Sequence, residues 1–287
     1  MNRDILSVIQ DNMHTFSKGQ KKIAAFILES YDKAAFMTAS RLGKKVGVSE
    51  STVVRFAAEL GYEGYPEMQK SLQKMIRNRL TSVQRIEVTN DRIGDQDLLS
   101  MVLQSDIDKI RQTLEDLDRD AFERAVEAIV SARKIYIIGV RSSASIATFL
   151  TFYFNLIFDN VVEVSANTAS EVFERLIRVG EGDVVIGVSF PRYSSCTVHA
   201  ISFARDRGAT TVAITDSEAS PLAPISQYTL KARSDMASFV DSLVAPLSLV
   251  NALLVAVSRK KNDDLAQTFQ NLEHIWDEYG VYEKVQE

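Results

Sequence analysis

The chain of 287 residues is 46% hydrophobic and 25% charged, which is typical of a soluble globular protein with two domains. The single cysteine, Cys196, excludes an internal disulfide, and the three histidines, His14, His199 and His274, lack the spacing of zinc ligands. We therefore expect no disulfide scaffold, no metal site and no cofactor.

The net charge of −5 is distributed unevenly along the chain. Residues 1–80 contain 13 Lys and Arg against 8 Asp and Glu, a balance of +5, whereas the remainder contains 20 against 30, a balance of −10. Because residues 1–80 are basic and the rest of the chain is acidic, we expect only residues 1–80 to bind a polyanion. A solvated basic face is the alternative, because charge alone does not distinguish the two.

The first 80 residues show a helical pattern that is nearly free of strand-like alternation. Ser17 begins a Ser-x-x-Gln capping box, and Thr38 is a second candidate N-cap. The first residues carry Asp4 and Asp11 and lack a clean apolar segment. A secretory signal is therefore not expected, and we expect a cytoplasmic protein.

Residues 39–62, ASRLGKKVGVSESTVVRFAAELGY, carry the most specific pattern of the chain. Gly47 lies where a tight turn needs a left-handed backbone, and Ser49 lies at the N-cap of a helix that ends at Gly61. The spacing of five apolar residues fits two helices that meet across this turn: Leu42, Val46, Val48, Val53 and Phe56. The pattern predicts a helix-turn-helix unit; a plain helical hairpin in a larger bundle is the alternative.

The second of these helices would enter the major groove of double-stranded DNA. Arg55 could donate two hydrogen bonds to a guanine. The other side chains expected on the DNA-facing side are Ser49, Glu50, Ser51, Thr52 and Val54. Arg41, Lys44 and Lys45 on the first helix would contact phosphates and set the register. Since one such unit makes few contacts, we expect a homodimer, or a tetramer of two dimers, on palindromic operator DNA.

Residues 81–97 are polar and weakly periodic, so they predict a linker or the end of a long helix. Amphipathic helices are predicted at 98–116 and 119–131, and from Arg133 onward strands alternate with helices. The predicted strands are 134–139, 161–165, 183–189, 210–215 and 227–232, with helices at 142–158 and 194–206 between them. This alternation predicts a parallel five-stranded sheet covered by helices on both faces, a three-layer α/β domain.

The most apolar segment is residues 239–258, which Asp241, Pro246 and Asn251 interrupt within a span of barely membrane length. It predicts a buried helix and a candidate dimer-packing helix rather than a membrane span. We place the domain boundaries at 1–80 for the helix-turn-helix domain, 81–110 for a linker and connecting helix, and 111–287 for the α/β domain.

The sequence VSESTVVRFAAELGYEGYP within 38–66 resembles the N-terminal helix-turn-helix of RpiR-type bacterial transcriptional regulators. The α/β part resembles the sugar isomerase (SIS) domain that follows it in that family, so the resemblance covers about 1–80 and 110–260. It implies a cytoplasmic regulator of a carbohydrate-catabolic operon. A small sugar phosphate or related metabolite, bound in the SIS domain, would alter its DNA binding.

The first candidate ligand loop is GVRSSASIA, residues 139–147, at the carboxyl end of a predicted strand. Gly139 would permit the turn out of the strand, and Ser142 or Ser143 would cap the next helix and present a hydroxyl. In the family pattern Ser143 matches the usual ligand serine. Without that resemblance, the motif would also fit a simply capped helix.

The second candidate loop follows the third predicted strand, where similar SIS domains commonly carry Ser-x-Ser-Gly-x-Thr around a phosphate. Here residues 189–194 read SFPRYS, so Ser189 is kept and Ser194 stands for the threonine. Pro191 supplies neither hydroxyl nor N–H, and Arg192 replaces the glycine. A guanidinium forms charge-assisted bonds with phosphate or carboxylate, so we expect a rebuilt loop for a phosphorylated or carboxylated effector. The alternative is an Arg192 that forms a structural ion pair or points to water.

Further polar residues follow the second and fourth predicted strands. Ser165 and Asn167 would face the same crevice, and Thr215 and Asp216 are supporting positions. Cys196 is expected to fill space in the core rather than to act as a nucleophile.

An enzyme is a separate hypothesis, because SIS domains also occur in aldose–ketose isomerases. Such catalysis needs a base with a tuned pKa. The candidate bases form no recognisable acid–base pair: Glu171, Glu174 and His199. We expect a regulator and not an enzyme; the alternatives are a sugar-phosphate isomerase-type enzyme and a DNA-binding protein without ligand control.

Overall fold

The computed structural model describes most of the chain, namely residues 5–76, 81, 83–86, 97–165, 168–235 and 240–282. The chain divides into two compact units, one over 1–102 with 236–241 and the other over 103–235 with 242–287. Most of the predicted linker at 81–97 lies outside the described residues.

The N-terminal unit is helical, as predicted, and three of its helices begin at the predicted caps. Its helices are α1 Ile5–Asp11, α2 Lys18–Glu29, α3 Tyr31–Ala34, α4 Ala39–Val46, α5 Glu50–Glu59 and α6 Tyr65–Ile76. Ser17 forms both bonds of a capping box with Gln20. The side chains of Thr38 and Ser49 accept hydrogen bonds from the first turns of α4 and α5. These caps satisfy N–H groups that have no partner within a helix, and so they fix where each helix starts.

One apolar core holds these helices together. Val53 and Phe56 of α5 are completely buried in it, and the ring of Phe16 packs edge-on against Phe56 at 5.1 Å between centroids. Helix α5 ends with Gly61 in the left-handed region at φ 89°, as the sequence predicts. The buried side of α5 is therefore fixed, which leaves its opposite side for another partner.

Helix α6 holds the segment that leads into α4. The Tyr65 hydroxyl and the Gln69 side-chain amide both donate to the carbonyl oxygen of Met37, each at 2.7 Å. Burial raises the pKa of Tyr65 to about 12, so its hydroxyl stays protonated and able to donate at neutral pH. Because Met37 directly precedes the N-cap of α4, these bonds fix the start of that helix.

Two glycines shape the turn between α4 and α5. Gly47 has φ 71°, in the left-handed region, as predicted. Gly43, which the sequence pattern does not single out, lies where a Cβ atom would approach the carbonyl oxygen of Val48 to 2.8 Å. The two helices can therefore meet this closely only because Gly43 has no side chain.

The second unit is the predicted three-layer α/β domain. Helix α7, Leu98–Asp116, begins at the end of the first unit and continues into the second. The other helices of the second unit are α8 Arg119–Val130, α9 Ser142–Ile157, α10 Ala169–Arg175, α11 Ser195–Asp206, α12 Val244–Lys260 and α13 Asn262–Glu278. Its strands are β1 Lys134–Gly139, β2 Val161–Glu163, β3 Asp183–Val188, β4 Thr210–Thr215 and β5 Tyr228–Lys231. All four strand pairs are parallel, in the order β2-β1-β3-β4-β5. The second strand is shorter than the predicted 161–165.

Apolar clusters cover the two faces of the sheet. Helix α12 corresponds to the predicted buried helix at 239–258, and it buries Leu249, Val250 and Leu253 in the larger cluster. This burial accounts for the apolar composition of the segment. Within the described residues, no helix is long and apolar enough to cross a membrane.

An ion pair between an exposed arginine and a buried aspartate joins the amino ends of β1 and β3. The Arg133 guanidinium donates to both carboxylate oxygens of Asp183, at 2.9 and 2.8 Å. The Asp183 side chain is completely buried and also accepts the N–H of Gly180 at 3.0 Å. Since each carboxylate oxygen has a donor, the buried charge is compensated, and the two strands are aligned at this edge.

We predict that Gly43→Ala loosens the helix-turn-helix. The added methyl would meet the backbone of Val48, and such overpacking costs about 1–3 kcal/mol. Amide hydrogen exchange in α4 and α5 should become faster. Gly64→Ala is the matched control, because its methyl would meet only Pro66 Cδ, at an ordinary 3.6 Å. Equal protection in both variants would contradict the assigned role of Gly43.

Candidate functional sites

The exposed side of α5 carries the side chains predicted to face DNA. Ser49, Glu50, Ser51 and Arg55 are exposed, and Thr52 is half-buried. The Ser49 hydroxyl lies 2.9 Å from that of Ser51 and 2.8 Å from that of Thr52. A cluster of three hydroxyls thus lies at the helix N-terminus, where the backbone N–H groups favour an anion.

The basic residues predicted to contact phosphates are also exposed. Arg41 lies in the first turn of α4, and Lys44 and Lys45 lie in its last turn. On α5, the Arg55 Nε donates to the carbonyl oxygen of Ser51 at 3.3 Å, one turn back along the helix. The exposed side of α5 could therefore lie in a major groove, while the positive charges of α4, the preceding helix, contact phosphates.

The pairing of β1 with β3 forms the topological switch point of the sheet in the second unit, and we call the space at its carboxyl edge the crevice. Gly139 and Val188, the last residues of these strands, are register partners. The chain leaves β1 toward β2 on one side and β3 toward β4 on the other, so the strand order reverses between them. In open parallel sheets, ligands bind at the carboxyl ends of the strands at such a switch point. Both predicted ligand loops lie here.

The loop after β1 differs from the prediction in how it enters α9. The N-cap is Arg141, whose side chain makes no capping bond, and Ser142 and Ser143 already lie within the helix. The predicted capping role of these serines is therefore wrong. The backbone turns at Arg141, with φ 58°, which starts the helix before either serine.

Gly139 also has a different role from the predicted one. A Cβ atom on Gly139 would lie 2.5 Å from the carbonyl oxygen of Ser143, so glycine is needed for close packing of strand and helix. The positive φ belongs to Arg141 instead. Ser143 is only 6% exposed, and its hydroxyl has no hydrogen-bond partner within the described part of the chain. A hydroxyl without a protein partner in the first turn of a helix is suited to bind a ligand oxygen.

The loop after β3 is fastened to the end of β4. The Ser189 hydroxyl accepts the N–H of Ser194 at 3.1 Å, and the Thr215 hydroxyl donates to the Ser189 carbonyl oxygen at 2.8 Å. The Tyr193 hydroxyl donates to Asp216 at 2.7 Å. Thr215 and Asp216 are both buried, so they serve as framework for this loop.

Two side chains of this loop are available to a ligand. Ser194 is the N-cap of α11, but its hydroxyl makes no capping bond. Arg192 is exposed, and among the described residues it has neither an ion-pair nor a hydrogen-bond partner. The structural ion pair, one alternative for Arg192, is therefore not formed with any described residue. Its guanidinium is free to meet an anion.

The remaining predicted residues contribute less. Ser165 is exposed two residues beyond β2, and Asn167 lies outside the described residues. Cys196 is half-buried against the core, and burial raises the pKa of its thiol, which disfavours a reactive thiolate. Among the described residues, no group of three or more His, Cys, Asp or Glu side chains could hold a metal ion.

Arg141 is a further candidate residue, which the sequence analysis did not single out. It lies in the first ligand loop, is exposed, and has no side-chain partner among the described residues. The sequence did contain a signal for this residue. Arg141 lies between the predicted strand and Ser142 and Ser143, at a turn where small residues are usual.

Comparison with known proteins supports both halves of this description. The family model "Helix-turn-helix domain, rpiR family" matches residues 3–79, and the SIS domain model matches residues 128–256. The sugar isomerase domain of an RpiR transcription factor from Sphaerobacter thermophilus is 30% identical, with a TM-score of 0.59. The match covers 62% of the present chain and 99% of the chain of the Sphaerobacter domain.

Two relatives match nearly the full length. The transcriptional regulator HexR of Pseudomonas aeruginosa is 26% identical over 91% of this chain and 92% of its own. The structure of the Vibrio vulnificus NanR protein complexed with ManNAc-6P is 24% identical, with a TM-score of 0.59, and covers 96% of this chain and 98% of that one. The helix-turn-helix with its exposed basic side, followed by a parallel sheet with its crevice, identifies the chain as a member of the RpiR family of transcriptional regulators.

Proposed function

We propose that this RpiR-type regulator binds operator DNA of a carbohydrate-catabolic operon under the control of a small anionic metabolite, a sugar phosphate or a related compound. The observation that carries the effector half is the crevice between β1 and β3, with the unbonded hydroxyl of Ser143 on one side and the unpaired Arg192 on the other. Hydroxyls, helix N-termini and a guanidinium are the donors that an anionic sugar derivative requires.

The chemistry of the crevice is supported by the NanR structure, whose ligand is a phosphorylated amino sugar. In this chain the Ser189 hydroxyl already accepts the N–H of Ser194. Since the O–H of Ser189 remains able to donate, a bound phosphate would take its donors from the hydroxyls of Ser143, Ser189 and Ser194 and from the Arg192 guanidinium. Ser142 and Ser165, both exposed, would contact the rest of the ligand at the rim.

The DNA half rests on the exposed side of α5 and the cations of α4. Ser49, Ser51 and Arg55 would reach base edges or phosphates, Glu50 would accept from a cytosine amino group, and Thr52 would contribute through its hydroxyl contact with Ser49. Arg41, Lys44 and Lys45 would hold the phosphate backbone. A regulator of this kind acts in the cytoplasm, where the DNA is.

An isomerase-type enzyme is the second candidate, and the geometry gives it little support. His199 and Glu174 are exposed on α11 and α10, and no acid–base pair involving either of them is found among the described residues. HexR, which matches nearly the full length, is named as a transcriptional regulator rather than as an enzyme.

A second copy of the chain would pack on α7. This helix exposes five large apolar side chains at the spacing of a helical seam: Leu99, Leu103, Ile107, Ile110 and Leu114, each between 38% and 68% exposed. Helix α12, the sequence-based candidate for this role, uses most of its apolar residues inside its own unit. A two-fold axis through the α7 seam would give the two copies that a palindromic operator needs.

Lys44→Ala and Arg55→Ala should weaken DNA binding in different ways. Loss of the Lys44 charge should weaken binding to all sequences and reduce the salt slope by about 1. Loss of Arg55 should remove about 1–3 kcal/mol of discrimination at particular base pairs. Fluorescence anisotropy on operator and random duplexes separates the two effects, with Arg205→Ala in the α/β unit as the control. Equal losses on both duplexes for Arg55→Ala would contradict base reading.

Ser143→Ala and Arg192→Ala should weaken effector binding without unfolding the protein. Each removes a group that has no partner within the described chain, so the melting temperature without ligand should barely change. The ligand-induced rise in melting temperature should fall as if Kd were about tenfold to a hundredfold weaker. The ligands tested are sugar phosphates, sugar acids and neutral sugars. Arg205→Ala serves as the control variant. Unchanged ligand responses in both variants would exclude this crevice as the effector site.

Ile107→Glu should convert the dimer into a monomer. The new carboxylate would lie within the apolar α7 seam, whereas Gln104→Glu adds the same charge at an exposed position outside it. Light scattering after size-exclusion chromatography reports the mass. A dimeric Ile107→Glu variant would place the dimer contact elsewhere.

A further inference from the structure

The first two turns of α2 carry lysines and no acidic residue. From the N-cap onward the sequence reads SKGQKK, and its three lysines are all exposed: Lys18, Lys21 and Lys22. None of their side chains forms an ion pair or a hydrogen bond with any described residue. The capping box uses the N–H groups of Ser17 and Gln20, so the positive charge of this segment comes from the lysines. Their charge is therefore available to a partner outside the chain.

This end of α2 packs against α5. A Cβ atom on Gly19 would lie 3.4 Å from Thr52 Cγ2, and the Gln20 side-chain amide donates to the carboxylate of Glu59. Thr52 and Glu59 are seven residues apart on α5 and lie on one side of it. Arg55 follows Thr52 by three residues and precedes Glu59 by four, so it neighbours both on the helix surface. The start of α2 therefore lies beside the side of α5 that carries Arg55.

Helical spacing decides which lysines of α2 lie next to α5. Lys22 follows Gly19 by three residues, so the two share a side of α2. Lys18 precedes Lys22 by four residues and lies on the same side. Lys21, two residues from Gly19, lies on nearly the opposite side, because a helix turns once in about 3.6 residues. We call Lys18 and Lys22 the α2 lysine pair.

The α2 lysine pair lies where a DNA strand would run if α5 occupies a major groove. A helix with its side chains is about 10–12 Å across, and the groove is about 12 Å wide, so α5 alone would fill it. A helix packed on another has its axis about 8–10 Å away. The start of α2 would therefore lie over the sugar–phosphate strand at the edge of the groove. The ammonium group of a lysine there is a point charge suited to a phosphate oxygen.

We infer that Lys18 and Lys22 each bind a phosphate of the operator DNA, on the strand beside Arg55. They form a phosphate-binding surface on a helix that precedes the helix-turn-helix, in addition to the cations of α4. The inference rests on the proposed DNA binding and extends it to a further pair of residues. Since phosphate contacts carry no base information, this pair sets the orientation of α5 and adds affinity for any sequence.

The first test is the salt dependence of DNA binding by the full chain. Fluorescence anisotropy gives Kd at several salt concentrations for an operator duplex selected in vitro and a random duplex of equal length. Lys18→Ala and Lys22→Ala should each reduce the salt slope by about 0.9 and weaken binding to both duplexes about threefold to tenfold near 0.15 M salt. Alanine suits a helix, so the melting temperatures should stay at the wild-type value.

Lys21→Ala is the matched control. It removes the same charge from the same helix, at an exposed position on the side away from α5. Its salt slope and its Kd values should match those of the wild-type protein.

The second test locates the contact by neutralising single phosphates of the operator as methylphosphonates. For the wild-type protein, the phosphate that Lys22 contacts should raise Kd about threefold to tenfold when it is neutralised. In Lys22→Ala the same modification should have no further effect, because the contact is already lost. The modification that loses its effect in Lys44→Ala should be at a different phosphate.

Three results would overturn the inference: an unchanged salt slope in Lys18→Ala or in Lys22→Ala, an equal loss in Lys21→Ala, and the same phosphate for Lys22 and Lys44. The first two would make these lysines a solvated basic face, and the third would assign the contact to the α4 surface. In each case operator binding by the wild-type protein would keep the proposed function. A wild-type protein that binds neither duplex would reject the proposed function and this surface together.

Discussion

The parallel pairing of β1 with β3 is the constraint on which the effector crevice depends. Its register sets Gly139 opposite Val188, and so brings together two loops that lie about 50 residues apart in sequence. The ion pair of Arg133 with the buried carboxylate of Asp183 joins the same strands at their other end. Because that carboxylate has a donor on each oxygen, its buried charge is compensated there. The positions of the ligand-facing side chains follow from this alignment.

An equivalent constraint organises the DNA-binding unit, where close backbone contact replaces strand pairing. Gly43 lets α4 approach the turn before α5, and the bonds from Tyr65 and Gln69 to Met37 fix the start of α4. The sequence RFAAELGYEGYPEMQ, residues 55–69, extends the segment that resembles the RpiR family. It contains a core phenylalanine, a left-handed glycine that follows α5, and the donors that hold the start of α4. Most residues of this segment that have a role fix the position of α5. They do not determine what the exposed side of α5 contacts.

Much of this fold could be predicted from the sequence, because caps, turn glycines and apolar periodicity are local signals. The capping box at Ser17, the left-handed Gly47 and the five parallel strands are all confirmed. The failures concern features set by tertiary packing. The serines after β1 do not cap α9, since the chain turns earlier, at Arg141, and the close contact of Gly139 with α9 is visible only once strand and helix are packed. The roles of Arg192 and of the DNA-facing residues stay predictions.

We propose that an anion bound between the β1 and β3 loops changes the affinity of the helix-turn-helix for DNA. This coupling is tested by the Kd of the full chain for a duplex selected in vitro, determined with and without a saturating concentration of an effector identified by thermal shift. We expect at least a fivefold change in Kd, which is the lower end of ordinary allosteric coupling (about 1 kcal/mol), and the same factor for the effect of DNA on effector affinity. An unchanged Kd with the crevice occupied would show that the two units act independently and would contradict this coupling.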